Sequence, residues 1–323
     1  MPQLDKPLEE LKEYKGISPC PIDIDEYWER ALSLLDTFDW DVKFTRVEKG
    51  VPYASCYDLT FTGVKGARIY AKYIKPSVEG KKNPGIIKFH GYHGNSGDWQ
   101  DGFSLVAAGF SYAALDCRGQ SGKSQDKTEL YGHTFNGQIV RGLEDGKDNL
   151  AFRDIYLDCV QLTRIVMDLP EVDEDNIAVT GASQGGGLTL ACASLEPRIK
   201  YVAPIYPFLS DYKRVWDMDL DIDAYAEIRH YFRQYDPLHI KEDEIFNTLG
   251  YIDIKNLTNR IKGEVLMTIT LMDNICPPST QFAAYNNIES RKESIIYYDY
   301  GHEHLPGLSD ILFDFFMKMK SNR

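Results

Sequence analysis

Gly181-Ala-Ser183-Gln-Gly185 fits the pattern G-x-S-x-G. A serine hydroxyl attacks a carbonyl when a sharp turn exposes it and a base takes its proton. The flanks agree with such a turn. Ile177-Ala-Val-Thr180 is an apolar, strand-like run, and Leu188 to Leu195 reads as a helix. Glycine two places either side of the serine lets the backbone pass close to its neighbours. The helix that follows offers free N–H groups and a positive dipole end to developing oxyanion charge. Outside that setting, the same five residues would be a Gly-rich packing turn.

The base must be a histidine, oriented by a carboxylate. On open α/β sheets that carry this turn, the chain order is serine, acid, histidine. Asp273 follows the apolar run Val265 to Leu271, and His302 follows Ile295 to Tyr298. Each stands where a strand ends, the place where such sheets put their sites. Singly, Asp273 is a turn former and His302 a loop residue. The ordered set of three carries the argument. His304 is the rival base, and His302 is preferred because it directly follows Gly301.

A tetrahedral intermediate also needs donors for its oxyanion. The loop Phe89-His90-Gly91-Tyr92-His93-Gly94 resembles the HGGG-type loop that supplies one of them. The backbone N–H groups of Tyr92 and Gln184 are the expected pair. His90 and His93 read as loop packing rather than as metal ligands, and no Cys/His/carboxylate cluster shows ligand spacing in the sequence. Gly122-Lys123-Ser124 fails as a phosphate loop because Cys117 stands where glycine is required. His302 and His304 are two apart rather than the four of H-E-x-x-H.

Strands alternate with helices to position these residues. Strand-like runs are expected at 43–47, 54–61, 68–74, 85–90, 111–116, 176–180, 200–205, 264–271 and 294–298. Helical spacing marks 4–14, 23–35, 99–108, 151–168, 188–195, 282–288 and 308–318. The pattern predicts an α/β fold: one domain over 1–323, a mostly parallel sheet with helices on both faces, and a helical extension over 1–40. The stretch from Phe208 to Arg260 offers helices but no strand and reads as an insertion after strand six. The acidic run Glu171 to Asp175 reads as a solvated loop.

The 323 residues carry a formal net charge of −13. That surface repels phosphate backbones and anionic lipid, so nucleic acid and membranes are poor partners. The N-terminus lacks the basic and apolar regions of a signal peptide, and no run is apolar enough for a membrane span. The six cysteines form no C-x-x-C pair and read as reduced, mostly buried thiols. A cytoplasmic protein is expected.

Together, Arg118-Gly119-Gln120, Gly181-Ala-Ser183-Gln-Gly185 and His302-Glu303 resemble the signature of the acetyl xylan esterase and cephalosporin C deacetylase group, carbohydrate esterase family seven. The resemblance covers nearly the whole chain. It implies an α/β-hydrolase fold and removal of acetyl groups from sugar esters, xylooligosaccharides in particular, and from cephalosporins. It implies Ser183, Asp273 and His302 as the triad, with no metal or organic cofactor. It makes Arg118 and Gln120 structural supports and implies a cytoplasmic homo-oligomer, often a hexamer, with the insertion at subunit contacts. The insertion aromatics Tyr206, Phe208, Tyr212, Trp216, Tyr225, Tyr231, Phe232 and Tyr235 are compatible with such an interface or with the chain's own core. Three bulky residues near the site, Tyr92, Phe208 and Ile275, predict a small acyl pocket. The rival readings are a peptidase, a dienelactone-type hydrolase, whose nucleophile is usually cysteine, and a non-catalytic binding relative of the same fold.

Overall fold

The computed structural model describes residues 4–77, 80, 82–128 and 138–321. Nine strands form one sheet: β1 (Lys43–Val47), β2 (Ala54–Thr62), β3 (Arg68–Pro76), β4 (Asn83–Phe89), β5 (Ser111–Asp116), β6 (Val172–Ala182), β7 (Tyr201–Ile205), β8 (Glu264–Thr270) and β9 (Lys292–Tyr297). Their order across the sheet is β1-β2-β3-β5-β4-β6-β7-β8-β9. The pairings β1–β2, β2–β3 and β3–β5 are antiparallel, and all others are parallel. The expected α/β-hydrolase architecture is therefore present.

Side-chain alternation along the strands divides the interior into two cores. Ile87, Ala113, Leu115, Ile177, Val179, Val202, Val265 and Met267 enter the larger core, together with the helices Ile24–Ser33, Ala151–Met167, Gln184–Leu195 and Pro278–Asn286. Their neighbours Ile86, Tyr112, Ala114, Ala178, Ala203 and Leu266 face the smaller core, closed by the helices Phe103–Ala107 and Leu308–Ser321. Both faces are covered, which explains why the central strands read as continuous apolar runs rather than alternating ones.

The chain leaves β4 toward β5 on one side and returns through the helix Ala151–Met167 to β6 on the other. The order of the strands reverses between β4 and β6. A crevice at the carboxyl ends of these two strands is where such a sheet holds its ligand.

Two expectations are corrected. The acidic run belongs largely to β6, which starts at Val172; Glu174 and Asp175 stay exposed because the register with β4 jumps between Asp173 and Ile177. The insertion follows β7 of the nine strands, one strand later than its expected number. It holds the helices Tyr212–Asp217, Ala226–Tyr235 and Glu242–Leu249. Of the aromatics left open between interface and core, Phe208, Tyr212, Tyr225, Tyr231 and Phe232 are buried in the chain's own core. The N-terminal extension docks on this insertion: Ile17 and Ser18 donate backbone N–H groups to Asp211, and the Trp28 indole donates to the Tyr251 carbonyl. Among the described residues, no helix is long and apolar enough to cross a membrane.

Under the sheet, Arg118 is buried, 1% exposed, and bonds both oxygens of Asp158 at 2.6 Å. Burial pushes the Asp158 carboxyl up to about 6 while the guanidinium pulls it back. Asp154 lies 3.6 Å from the same guanidinium. Removing one partner of a buried pair leaves an uncompensated charge, which costs about 3–5 kcal/mol. Arg118→Ala should lose that much stability in urea unfolding, and Arg118→Lys less, because it keeps the charge without the fork. A loss below about 1 kcal/mol for Arg118→Ala would deny the pair its structural role.

Candidate active site

Ser183 occupies the turn between β6 and the helix Gln184–Leu195, with φ 58° and ψ −121°. A non-glycine residue in that region costs of order 1–3 kcal/mol and persists only where its surroundings enforce it. Here they do. Ser183 donates its N–H to the Ile205 carbonyl at the end of β7, and its own carbonyl accepts from Phe208 and Gly187, all at 3.0 Å. The flanking glycines are required by space. A Cβ on Gly181 would lie 2.5 Å from the Phe89 carbonyl oxygen, and one on Gly185 would lie 2.1 Å from it. The turn is thus pressed against the end of β4, where the oxyanion loop starts.

Asp273 follows β8 and is fully buried. Its Oδ1 accepts from the N–H groups of Ile275 and Cys276, at 2.9 and 2.8 Å. Its Oδ2 accepts from the Thr270 hydroxyl at 3.3 Å and faces His302 Nδ1 at 2.8 Å. With Nδ1 donating to the carboxylate, Nε2 is left to act as base. His302 is partly exposed, whereas His304 is exposed. Cys276 connects this pair to the nucleophile. Burial pushes its thiol far up, Asp273 adds to the effect, and a hydrogen bond with the Ser183 side chain opposes it. Ligand atoms of Asp273, Cys276 and His302 lie within 4.8 Å of one another. The expectation that no such cluster has metal-ligand spacing is therefore corrected, since the fold brings together residues distant in sequence. The thiol is held protonated and the His302 Nδ1 is engaged by Asp273, so this geometry is better suited to proton transfer than to metal binding.

The oxyanion loop is fixed from several sides. Buried His90 accepts from the Cys117 N–H through Nε2 at 3.0 Å, so its Nδ1, 2.7 Å from the Gly91 carbonyl, carries the proton. Burial lowers the His90 pKa, which keeps the ring neutral. A Cβ on Gly91 would lie 4.0 Å from Ser183 Cβ, so the loop runs directly beside the nucleophile. Gln120 Oε1 accepts from the His93 N–H at 3.0 Å, and its amide pairs with that of Gln184 at 2.7 and 3.1 Å. Gln120 thereby joins Gln184 to His93, the residue next to Tyr92. The Arg118-Gly119-Gln120 motif is now explained. Arg118 anchors below the sheet, Gly119 turns with φ +69°, and Gln120 reaches the site.

The proposed acyl-pocket residues separate. Tyr92 is half-buried, with its ring 5.5 Å from that of Phe208. Ile275 is half-buried beside Asp273. Phe208 exposes no surface, so it acts from behind Tyr92 rather than as an open wall. Two residues were missed. Tyr206, with φ 30°, lies against the His302 ring at 4.7 Å between centroids. Its position just past β7 was the available signal. Glu227, from the insertion, accepts from the Tyr92 hydroxyl at 2.8 Å. Burial pushes its carboxyl up to about 7, with the Tyr92 hydroxyl and nearby backbone N–H groups pulling it down. No sequence pattern marks it.

A serine on a strained strand-to-helix turn and a buried Asp–His pair, set at the reversal point of a mostly parallel sheet, define an α/β-hydrolase. Residues 1–319 match the acetyl xylan esterase (AXE1) family, and the chain belongs to it. It is similar to acetyl xylan esterase 1 of Thermoanaerobacterium sp. JW/SL YS485, with 57% identity, coverage of 98% of this chain and 99% of that one, and a TM-score of 0.96. The acetyl xylan esterase of Paenibacillus sp. R4 is 36% identical, with coverage of 97% and 99% and a TM-score of 0.93. Acetyl esterase Axe7A of Xylanibacter ruminicola is 29% identical over 288 residues, 87% of this chain and 63% of that protein. The chain thus spans just under two thirds of that relative's length.

Triad members act as a unit. Ser183→Ala and His302→Ala should each lower ester turnover by at least ~10³-fold with thermal unfolding little changed, and His304→Ala should stay near the parent. Steady-state kinetics on the purified variants decides. Equal losses at both histidines would reject His302 as the base.

Proposed function

We propose that this protein is a serine esterase that removes acetyl groups from acetylated sugars, xylooligosaccharides in particular, with cephalosporin C as a further substrate. The observation that carries the reading is the 2.8 Å contact of His302 Nδ1 with buried Asp273, beside the turn that holds Ser183. The family and the named relatives support the acetyl group as the acyl part. In this mechanism, His302 Nε2 takes the Ser183 proton as Oγ attacks the acetyl carbonyl. The backbone N–H groups of Tyr92 and Gln184 receive the oxyanion. His302 then returns the proton to the departing sugar oxygen, leaving acetyl on Ser183. Water, activated by the same imidazole, releases acetate. Each step uses this chain's own groups and water, and no cofactor is required.

Selectivity for a short acyl chain follows from the crowding of Tyr92, backed by Phe208, and of Ile275. A longer chain would have to displace packed side chains, at about 1–3 kcal/mol. That is on the order of 5- to 200-fold in kcat/KM. On one preparation, p-nitrophenyl acetate should exceed the butyrate and octanoate by such factors, and acetylated xylooligosaccharides should be cleaved where peptides are not. Flat or rising constants with chain length would defeat the acetyl assignment. Peptide cleavage would favour the peptidase reading, and inertness to every ester the non-catalytic one.

A cytoplasmic homo-oligomer, a hexamer by resemblance, completes the proposal. All six cysteines are unpaired. The exposed apolar side chains Ile22, on the N-terminal extension, and Leu238 and Ile240, on the insertion, offer contact surface. Light scattering at micromolar concentration should give a mass several times 36.9 kDa. A monomer would refute this part.

A further inference from the structure

We infer that Glu227 is a positioning residue for the oxyanion loop, a carboxylate supplied by the insertion to hold Tyr92 in register with Ser183. The inference rests on the serine esterase reading above and adds a residue to it. Glu227 lies on the helix Ala226–Tyr235 and is 2% exposed. A buried carboxylate is costly unless its oxygens are satisfied. Among the described residues no cation pairs with it. Its donors instead come from the surroundings of the site: the Tyr92 hydroxyl at 2.8 Å and the Gln138 N–H at 3.2 Å on Oε1, and the Val140 N–H at 3.3 Å on Oε2.

The same bonds form a closed frame around Tyr92. The Gln138 N–H also reaches the Tyr92 hydroxyl oxygen at 2.8 Å, and the Gln138 amide donates to the Gly119 carbonyl at 2.9 Å. The next residue, Gln120, holds the His93 N–H and pairs with Gln184. Tyr92 is therefore gripped at its phenol end through Glu227 and on its backbone side through Gln120. His93, with φ 57°, is a strained joint next to it. Releasing the phenol would let the Tyr92 peptide drift, and its N–H is aimed at a charge that exists only in the transition state. Loss of that aim lowers kcat and leaves KM little changed. A residue that merely stabilised the fold would leave the kcat of the folded enzyme unchanged.

The test compares the full-length parent with Glu227→Ala, Glu227→Gln, Tyr92→Phe and the double variant Tyr92→Phe/Glu227→Ala on p-nitrophenyl acetate. Methylboronic acid serves as a probe whose tetrahedral serine adduct needs the same donors. Glu227→Ala and Tyr92→Phe should each lower kcat about tenfold with KM within about twofold, and Glu227→Gln should recover part of the loss. The double variant should be no slower than Glu227→Ala, as expected for two residues in one linkage. The inhibition constant of methylboronic acid should rise by about the same factor as kcat falls. Parent-like or higher kcat in Glu227→Ala, or losses that multiply in the double variant, would overturn the inference. If Glu227→Ala does not fold, Tyr92→Phe decides by the same kcat and boronate criteria, since it keeps the carboxylate and its backbone donors. Ser183→Ala, run alongside, separates the two levels. Inactive Ser183→Ala with normal Glu227→Ala removes the positioning role alone, whereas active Ser183→Ala removes the serine reading and this inference with it.

Discussion

The close approach of the turn 181–185 to the carboxyl end of β4 is the constraint from which the site follows. The Phe89 carbonyl stands where a Cβ on either flanking glycine would be. Because β4 and β6 are direct neighbours, Ser183 emerges beside the loop that β4 feeds. One steric fact thus places the Ser183 turn and the loop after β4 at a single point. Any side chain at either glycine would separate them. The strain stored at Ser183 is balanced by β7, whose last residue binds the Ser183 N–H. The strand order β4-β6-β7 therefore holds the Ser183 turn as well as packing the sheet.

Around that contact the polar groups are arranged so that few can move independently. His90 is locked into one tautomer by a backbone donor on one side and a backbone acceptor on the other. Gln120 and Gln184 satisfy each other's amides, which fixes the loop against the helix. Asp273 has each carboxylate oxygen engaged before the histidine arrives, so its orientation is set by its own turn. Such preorganisation is what makes dipoles effective toward a transient charge, because nothing has to reorient during the reaction.

The sequence carries the strands well, and it sets the candidate triad at their ends, for a physical reason. A strand covered on both faces leaves an apolar run bounded by turn residues, and the central strands left that mark; exposed β1 was marked only by its β-branched and aromatic residues. The candidate triad could be proposed because each member follows such a run. What escaped depends on contacts between distant segments. Glu227 meets Tyr92 across 135 positions, and Cys276 meets His302 only after β8 and β9 pair. The aromatics of the insertion were ambiguous between a core and an interface, since burial, not composition, distinguishes them. The acidic run at the start of β6 looked like a loop because its charges remain in water while its backbone still joins the sheet.

The docking of the N-terminal extension has a consequence for the order in which the molecule is assembled. Asp211 receives the N–H groups of Ile17 and Ser18, and Asn256 bonds the Pro19 carbonyl, a partner 237 positions earlier in the chain. A ribosome adds roughly 5–20 residues per second. The extension, once translated, therefore waits on the order of ten to fifty seconds before the surface it binds exists. During that interval the apolar side of the helix Ile24–Ser33, with Trp28 and Tyr27, has no cover from the insertion. The extension thus seals the molecule late in folding although it is translated well before the surface that it closes.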